Sequence, residues 1–300
     1  MKIAILNDTH CGVRNDMVEM SEYQGRFYKE VFFPYLDQND IKHIIHMGDY
    51  FDRRKYINFA SLQRNIEHFI KPMQERGITM DLIIGNHDTY YKNTNDVNSP
   101  ALLLYDQKGV NVIEEPKVMN YDGLDVAMVP WINNENHANT LTMIENTNAQ
   151  VCMGHLEVAG FAMNKGIINE HGISKSIFGK FDTVFSGHFH HKSDDGHIFY
   201  LGAPYEFYWN DCDDRKGFHV FDTETRELEF IRNPLTMFNK VHYHDQDKTL
   251  DDIMAVDFDH YKGSYVKLIV HTKTNPYWFD MFVDKPTGAT ASTNWPASMV

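Results

Sequence analysis

Cysteine is scarce in this chain of 300 residues, and Cys11, Cys152 and Cys212 are an odd number at no recurring spacing. A disulfide framework is therefore not expected, which suits a reducing compartment. Long apolar runs are missing too: none approaches the roughly 18 residues that mark a membrane-crossing helix. The opening segment, Met1-Lys2-Ile3-Ala4-Ile5-Leu6-Asn7-Asp8, runs straight into a polar motif and leaves no room for a signal peptide. A cytoplasmic protein without a membrane partner is the expectation. Basic residues are the third shortage. Lysine and arginine total 28 against 42 acids, a formal net charge of −14, which argues against a chain that grips nucleic acid by bulk electrostatics. Net charge and local field can differ, because each bound divalent ion brings +2 to the acids around it. No internal repeat is found.

What is present is enough apolar material, 42% of the residues, for a sizeable core in one large domain or one domain with a small appendage. Lys2–Leu6 reads as a strand. Phe27, Val31, Tyr35 and Tyr28, Phe32, Leu36 then recur at helical spacing within residues 20–39. A second strand is expected over 41–47. A second stripe follows at Phe59, Leu62, Ile66, Phe69 and Met73, with Pro72 placed to kink or end that helix early. A third strand covers 78–84. Later strands are expected over 125–129, 149–153, 182–185, 198–201, 217–221, 227–231 and 264–271, and the close spacing after 180 suggests antiparallel hairpins completing a second sheet. Strand, polar loop and helix in succession predict a layered α/β sheet. A boundary near 235, at Asn233-Pro234, separates residues 1–235 from a small segment over 236–285, and 286–300 reads as a polar, mobile tail.

Five polar clusters sit just beyond predicted strands: Asp8-Thr9-His10, Gly48-Asp49-Tyr50-Phe51-Asp52, Gly85-Asn86-His87-Asp88, Gly154-His155 and Gly187-His188-Phe189-His190. Loops beyond the carboxyl ends of strands in an open α/β sheet converge in space. Carboxylates, a carboxamide and imidazoles together favour a transition metal over Mg²⁺ or Ca²⁺. Asp8 and His10 can face one ion if the chain turns at Gly12, and Asp49 is suited to bridging two. Extended-chain alternation puts His188 and His190 on one side and Phe189 on the other. Taken singly, Asp8 reads as a turn residue and any one histidine as a core or surface residue. The constellation carries the signal: a two-metal phosphoester hydrolase. Cys11 reads as a packed small residue beside it, and His191 as a bystander. Tyr90, Tyr91 and Lys92 read as exposed loop residues or as a stacking and charge contact for DNA.

The successive patterns D-x-H, G-D-x-x-D, G-N-H-D, G-H and G-H-x-H resemble the calcineurin-like metallophosphoesterases over residues 1 to about 232. Within that superfamily the chain resembles the SbcD-like DNA-repair nucleases, particularly the branch carried by T-even-type bacteriophages. The segments concerned are Asn7–Val13, Gly48–Asp52, Pro130-Trp131, Gly154–Phe161, Ser186–His190, Gly202-Ala203-Pro204 and Arg215–Phe218. The resemblance implies a two-sheet α/β sandwich flanked by helices, with a small C-terminal α+β capping segment. It implies one ion on Asp8, His10, Asp49 and His190, a second on Asp49, Asn86, His155 and His188, and Mn²⁺ as the first-choice metal. His87 is then the catalytic residue facing substrate, oriented by Asp52 or Asp88, with the family's pairing favouring Asp52. Arg53 and Arg54 are candidate phosphate contacts. DNA is the implied substrate, an SMC-like ATPase the partner, a homodimer the working form, and an infected bacterial cell the setting. The region after 235 is short beside the partner-binding segments usual in that family.

Two other readings stand beside this one. A metallophosphatase or phosphodiesterase of the same superfamily fits Gly48–Arg53, although Arg54 occupies the position where phosphatases carry glycine. A non-catalytic, metal-stabilised scaffold is the other, and the intact ligand set and His87 weigh against it.

Overall fold

The computed structural model describes residues 1–164 and 166–285, so the expected tail over 286–300 lies outside the described residues. Two compact units are present: Met1–Asn210 with Asp214–Leu235, and Asp211–Asp213 with the described residues from Thr236 onward.

The first unit is built on two six-stranded sheets. The strands are β1 (Lys2–Leu6), β2 (His43–His46), β3 (Thr79–Ile83), β4 (Val110–Ile113), β5 (Lys117–Tyr121), β6 (Leu124–Val129), β7 (Val151–Gly154), β8 (Ala162–Asn164), β9 (Ile167–Ile168), β10 (Thr183–Ser186), β11 (Ser193–Asp194), β12 (Ile198–Tyr200), β13 (Gly217–Asp222) and β14 (Leu228–Arg232). One sheet has the order β14-β13-β1-β2-β3-β4 and the other β11-β12-β10-β7-β6-β5, while β8 and β9 form a separate hairpin. In the first sheet β1 to β4 run parallel, and in the second β6, β7, β10 and β12 do. Side-chain alternation sorts the cores. Val126, Met128, Val151, Met153 and Phe185 meet Ile3, Ile5, Ile45 and Ile83 between the sheets. Their neighbours Ala127, Val129, Cys152 and Val184 point outward, onto Ile144 and Phe178. β13, buried from Gly217 to Phe221, has a neighbour on each side. This corrects the expected hairpin placement: β13 and β14 join the first sheet beside β1, antiparallel, and do not complete the second.

Helix α1 runs through Val18–Phe27, Tyr28–Phe32 and Phe33–Gln38, and α2 through Phe59–Asn65, Ile66–Ile70 and Lys71–Glu75. Their aromatic stripes cover the outer face of the first sheet, with Phe32 on Phe218 at 4.9 Å and Tyr28 on Phe69 at 4.7 Å between ring centroids. Pro72 neither ends nor shortens α2. In both helices the turn before the proline widens to π spacing, so that Phe33 N–H bonds Tyr28 O and Lys71 N–H bonds Ile66 O. The wider turn accommodates a residue that has no N–H and a ring crowding the preceding carbonyls.

In the second unit β15 (Phe238–His244) and β16 (Tyr265–Thr272) pair in parallel. Val241 and Tyr243 pack there with Ile253 and Phe282, the last from α3 (Pro276–Asp284). Among the described residues no helix is long and apolar enough to cross a membrane.

Candidate metal centre

Beyond β1 and β2 the two loops continue side by side: Asp8 N–H bonds Gly48 O at 3.0 Å, His10 N–H bonds Asp49 O at 3.0 Å, and Cys11 N–H bonds Tyr50 O at 2.8 Å. Asp8, His10, Asp49 and His188 all hold positive φ, at 51°, 44°, 52° and 85°. Four non-glycine residues in a sparsely populated region at one place is backbone strain held by surrounding contacts. The glycines of two motifs have a steric explanation. A Cβ on Gly85 would run into the backbone N and Oδ1 of Asp49, and one on Gly48 would lie 2.6 Å from His155 Nδ1. Asp88 is the clamp between these loops, accepting from Gly85 N–H at 2.9 Å, Phe51 N–H at 3.0 Å and Tyr50 N–H at 3.3 Å.

Three groups of donors converge. Asp8, His10 and His190 form one, Asp49, His155 and His188 a second, and His10, Asp52 and His87 a third, with ligand atoms in each group within 4.8 Å of one another. His10 Nε2 and His190 Nε2 face each other at 3.0 Å. Two imidazoles bound at right angles to one ion at usual metal–nitrogen lengths have their nitrogens about 2.9 Å apart. Asn86 Oδ1 lies 2.9 Å from both His155 Nε2 and His188 Nδ1. Asp49 Oδ2 stands between the first two groups, 3.3 Å from His155 Nε2 and 3.8 Å from His10 Nε2, while Asp49 Oδ1 takes the His87 N–H at 2.7 Å. The far ring nitrogen of His155 is held as those of metal-ligand histidines usually are, donating to Met47 O at 2.8 Å, while His10 Nδ1 faces Asp52 Oδ1 at 3.4 Å without a hydrogen bond. The donor set, mixed oxygen and nitrogen with Asp8, His10, Asp49 and His155 buried and Asn86, His188 and His190 half-buried, fits divalent transition metals.

Charge in this arrangement is distributed by burial and pairing. Burial opposes charge on His155, but the Asp49 carboxylate beside it prevails and holds it up at about 9. Asp49 likewise ionises well below the usual carboxylate range, against burial, because of His155. Burial and the nearby His155 push His188 down to about 3, and burial, His10 and Lys216 hold His190 well below its ordinary value. Burial and Asp49 push Asp88 up to about 7.

Asp8, His10, Asp49, Asn86, His155, His188 and His190 are thus all brought to one end of the sandwich. His87 Nδ1 lies 2.6 Å from the main-chain carbonyl of Asp52, whereas the Asp52 carboxylate faces His10. Arg53 is engaged in an ion pair with Asp16 and stacks over Tyr56 at 4.6 Å, and Arg54 Nη1 reaches Thr89 Oγ1 at 3.5 Å. Burial pushes the Cys11 thiol up to about 12, and its Sγ lies 3.6 Å from Ser61 O, away from a ligand's role. Residues outside the five clusters complete the surroundings. Phe207 lies edge-on to His10 and tilted against His190, at 5.3 and 5.1 Å, and Trp131 packs on His188 at 5.2 Å. His46 is fully buried with Nε2 on Thr9 Oγ1 at 2.9 Å. Only proximity in the fold reveals Phe207 and His46, whereas Trp131 follows β6 beside Pro130.

An α/β sandwich of two sheets whose strand ends gather aspartate, asparagine and histidine in this way has the architecture of a metallophosphoesterase. Residues 1–192 match the family model of calcineurin-like phosphoesterases, and the chain belongs to that family. Members of the family use divalent metals. Exonuclease subunit 1 of Enterobacteria phage T4 is 33% identical over 270 residues, 90% of this chain and 77% of that protein. The DNA double-strand break repair protein Mre11 of Thermoplasma acidophilum is 31% identical over 127 residues, 40% of this chain and 31% of that protein. Among solved structures, a novel archaeal phosphodiesterase covers 78% of this chain and 100% of its own, with a TM-score of 0.39 and 14% identity.

Proposed function

We propose that this chain is a DNA nuclease subunit that hydrolyses phosphodiester bonds with two divalent ions. The observation that carries the reading is Asp49 Oδ2 lying between two donor groups, 3.3 Å from His155 Nε2 and 3.8 Å from His10 Nε2. Asp8, His10, Asp49 and His190 would hold one ion and Asp49, Asn86, His155 and His188 the other, with Mn²⁺ the first choice. When bound, such a pair activates water at neutral pH and neutralises charge on the phosphoryl oxygens. His87 supplies the proton chemistry. Its Nδ1–H is spent on the Asp52 carbonyl at 2.6 Å, which leaves Nε2 to protonate the leaving 3′-oxygen of the cut strand. Asp52 serves twice, through its carbonyl on His87 and its carboxylate behind His10. Arg53, Arg54 and Lys55, with Tyr56, Tyr90 and Tyr91 exposed beside them, are the substrate contacts, a local basic and aromatic patch in an acidic chain.

Similarity to a phage exonuclease subunit and to a double-strand-break repair protein supports DNA as the substrate, recombination and break processing as the setting, and the infected cell's cytoplasm as the place. The word subunit in the former supports a partner, for which we propose an SMC-like ATPase, with this chain as a homodimer. Residues 1–235 are the nuclease domain and 236–285 a capping segment. The test is Mn²⁺ titration with a 3′-labelled duplex assayed beside a chromogenic phosphomonoester. Metal-dependent cleavage of the duplex well above the monoester is expected. The reverse order would indicate a phosphatase, and cleavage of neither a scaffold.

A further inference from the structure

We propose that Lys216 is a positioning residue for His190, forming with Asp214 a buried latch that fixes the His190 ring on the ion of the Asp8, His10 and His190 group. The proposal rests on the two-ion reading above. Lys216 is only 3% exposed. Its Nζ donates to the main-chain carbonyl of His190 at 2.7 Å and pairs with Asp214 Oδ2 at 3.1 Å. The same Asp214 oxygen lies 3.1 Å from His191 Nδ1. Two consecutive residues of the site loop are therefore held from one point, His190 by its backbone and His191 by its ring. The His190 carbonyl also accepts the Ala203 N–H at 3.1 Å, which closes it against rotation from a second side.

A buried ammonium is costly unless it is paired and hydrogen-bonded, and an apolar side chain of similar volume would serve packing as well or better. Packing alone therefore does not account for a charged residue here. Its location does. Lys216 immediately precedes β13, and β13 pairs with β1, the strand that delivers Asp8 and His10. The latch thus refers the third donor of this group to the strand pair that already fixes the other two. His188 is anchored differently, by its N–H on the Asp8 carboxylate at 3.0 Å, and its ring turns to Asn86 in the other group.

The latch therefore acts on one ion of the two. The experiment compares calorimetric Mn²⁺ binding by the full chain, by Lys216→Met, and by the double variant Asp214→Asn/Lys216→Met, which leaves no orphaned carboxylate; urea midpoints without metal are measured in parallel. In both variants one of two binding events is expected to weaken by roughly 10- to 100-fold, the usual effect of removing a group that orients a ligand, while the other is unchanged. Native affinity at both sites, equal weakening of both, or a loss that merely follows the urea midpoint overturns the latch. If the unaltered chain takes up fewer than two ions, the two-ion reading itself fails, a result distinct from the others.

Discussion

At the scale of single residues, the roles proposed for His87 and Asp49 separate chemistry from metal holding. His87→Ala is expected to keep both ions and lose turnover by about 10²–10⁴-fold, the range of a lost general acid, as read by Mn²⁺ binding beside duplex cleavage. Loss of metal in that variant would contradict the assigned role. Asp49→Ala removes the oxygen between the donor groups and is expected to empty both positions. His219 makes a prediction about pH. It lies in β13, 2% exposed, and burial, with Lys192 near, pushes it down to about 3. The unfolded chain binds a proton there near the ordinary histidine value and the native chain does not, so stability is lost as pH falls from that value toward 3. His219→Leu should reduce the stability difference between pH 7 and pH 5 by about 2 kcal/mol in urea unfolding. An unchanged acid limb would show that His219 is charged in the native state.

At the scale of elements, the site depends on how closely loops approach. Gly85 has no positive φ, so Gly85→Ala tests sterics alone: the new Cβ meets Asp49, and the loops must separate. A destabilisation of about 1–3 kcal/mol together with lost Mn²⁺ uptake is expected, measured by melting and binding. A variant that binds metal normally would show that the loops need not touch. The strand-loop-helix order and the five polar clusters were legible in the sequence because each rests on local pattern, an apolar run followed by polar donors, with Gly directly before the donors in four of the five. The strands β4, β5, β8, β9, β11 and β15 were not. Val110–Ile113 and Lys117–Tyr121 are edge strands whose residues are mostly half-buried or exposed, so neither shows a continuous apolar run. Pro72 misled because its effect on a helix depends on whether the preceding turn can widen. The hairpin β13–β14 was visible as local spacing, but the sheet it joins is decided by a partner more than 200 residues earlier. Phe207, His46 and the Lys216 latch belong to the same class, lone side chains whose meaning lies in distant contacts.

At the scale of the whole molecule, a net charge of −14 argued against nucleic-acid binding by electrostatics alone, and the proposed substrate requires a local exception. The Arg53-Arg54-Lys55 run next to the site supplies it. Replacing Arg54 and Lys55 together by Gln should raise the KM for duplex several-fold and flatten its salt dependence, with kcat little changed, since neither residue belongs to the donor groups. An unaltered salt dependence would place DNA elsewhere. The central claim is a pair of ions sharing Asp49. Anomalous diffraction from crystals grown with Mn²⁺ tests it most directly. The account predicts two peaks per chain about 3.5–4 Å apart, one against Asp8, His10 and His190 and one against Asn86, His155 and His188, with Asp49 touching both. A single peak, no peak, or His188 and His190 turned away from the density would contradict it.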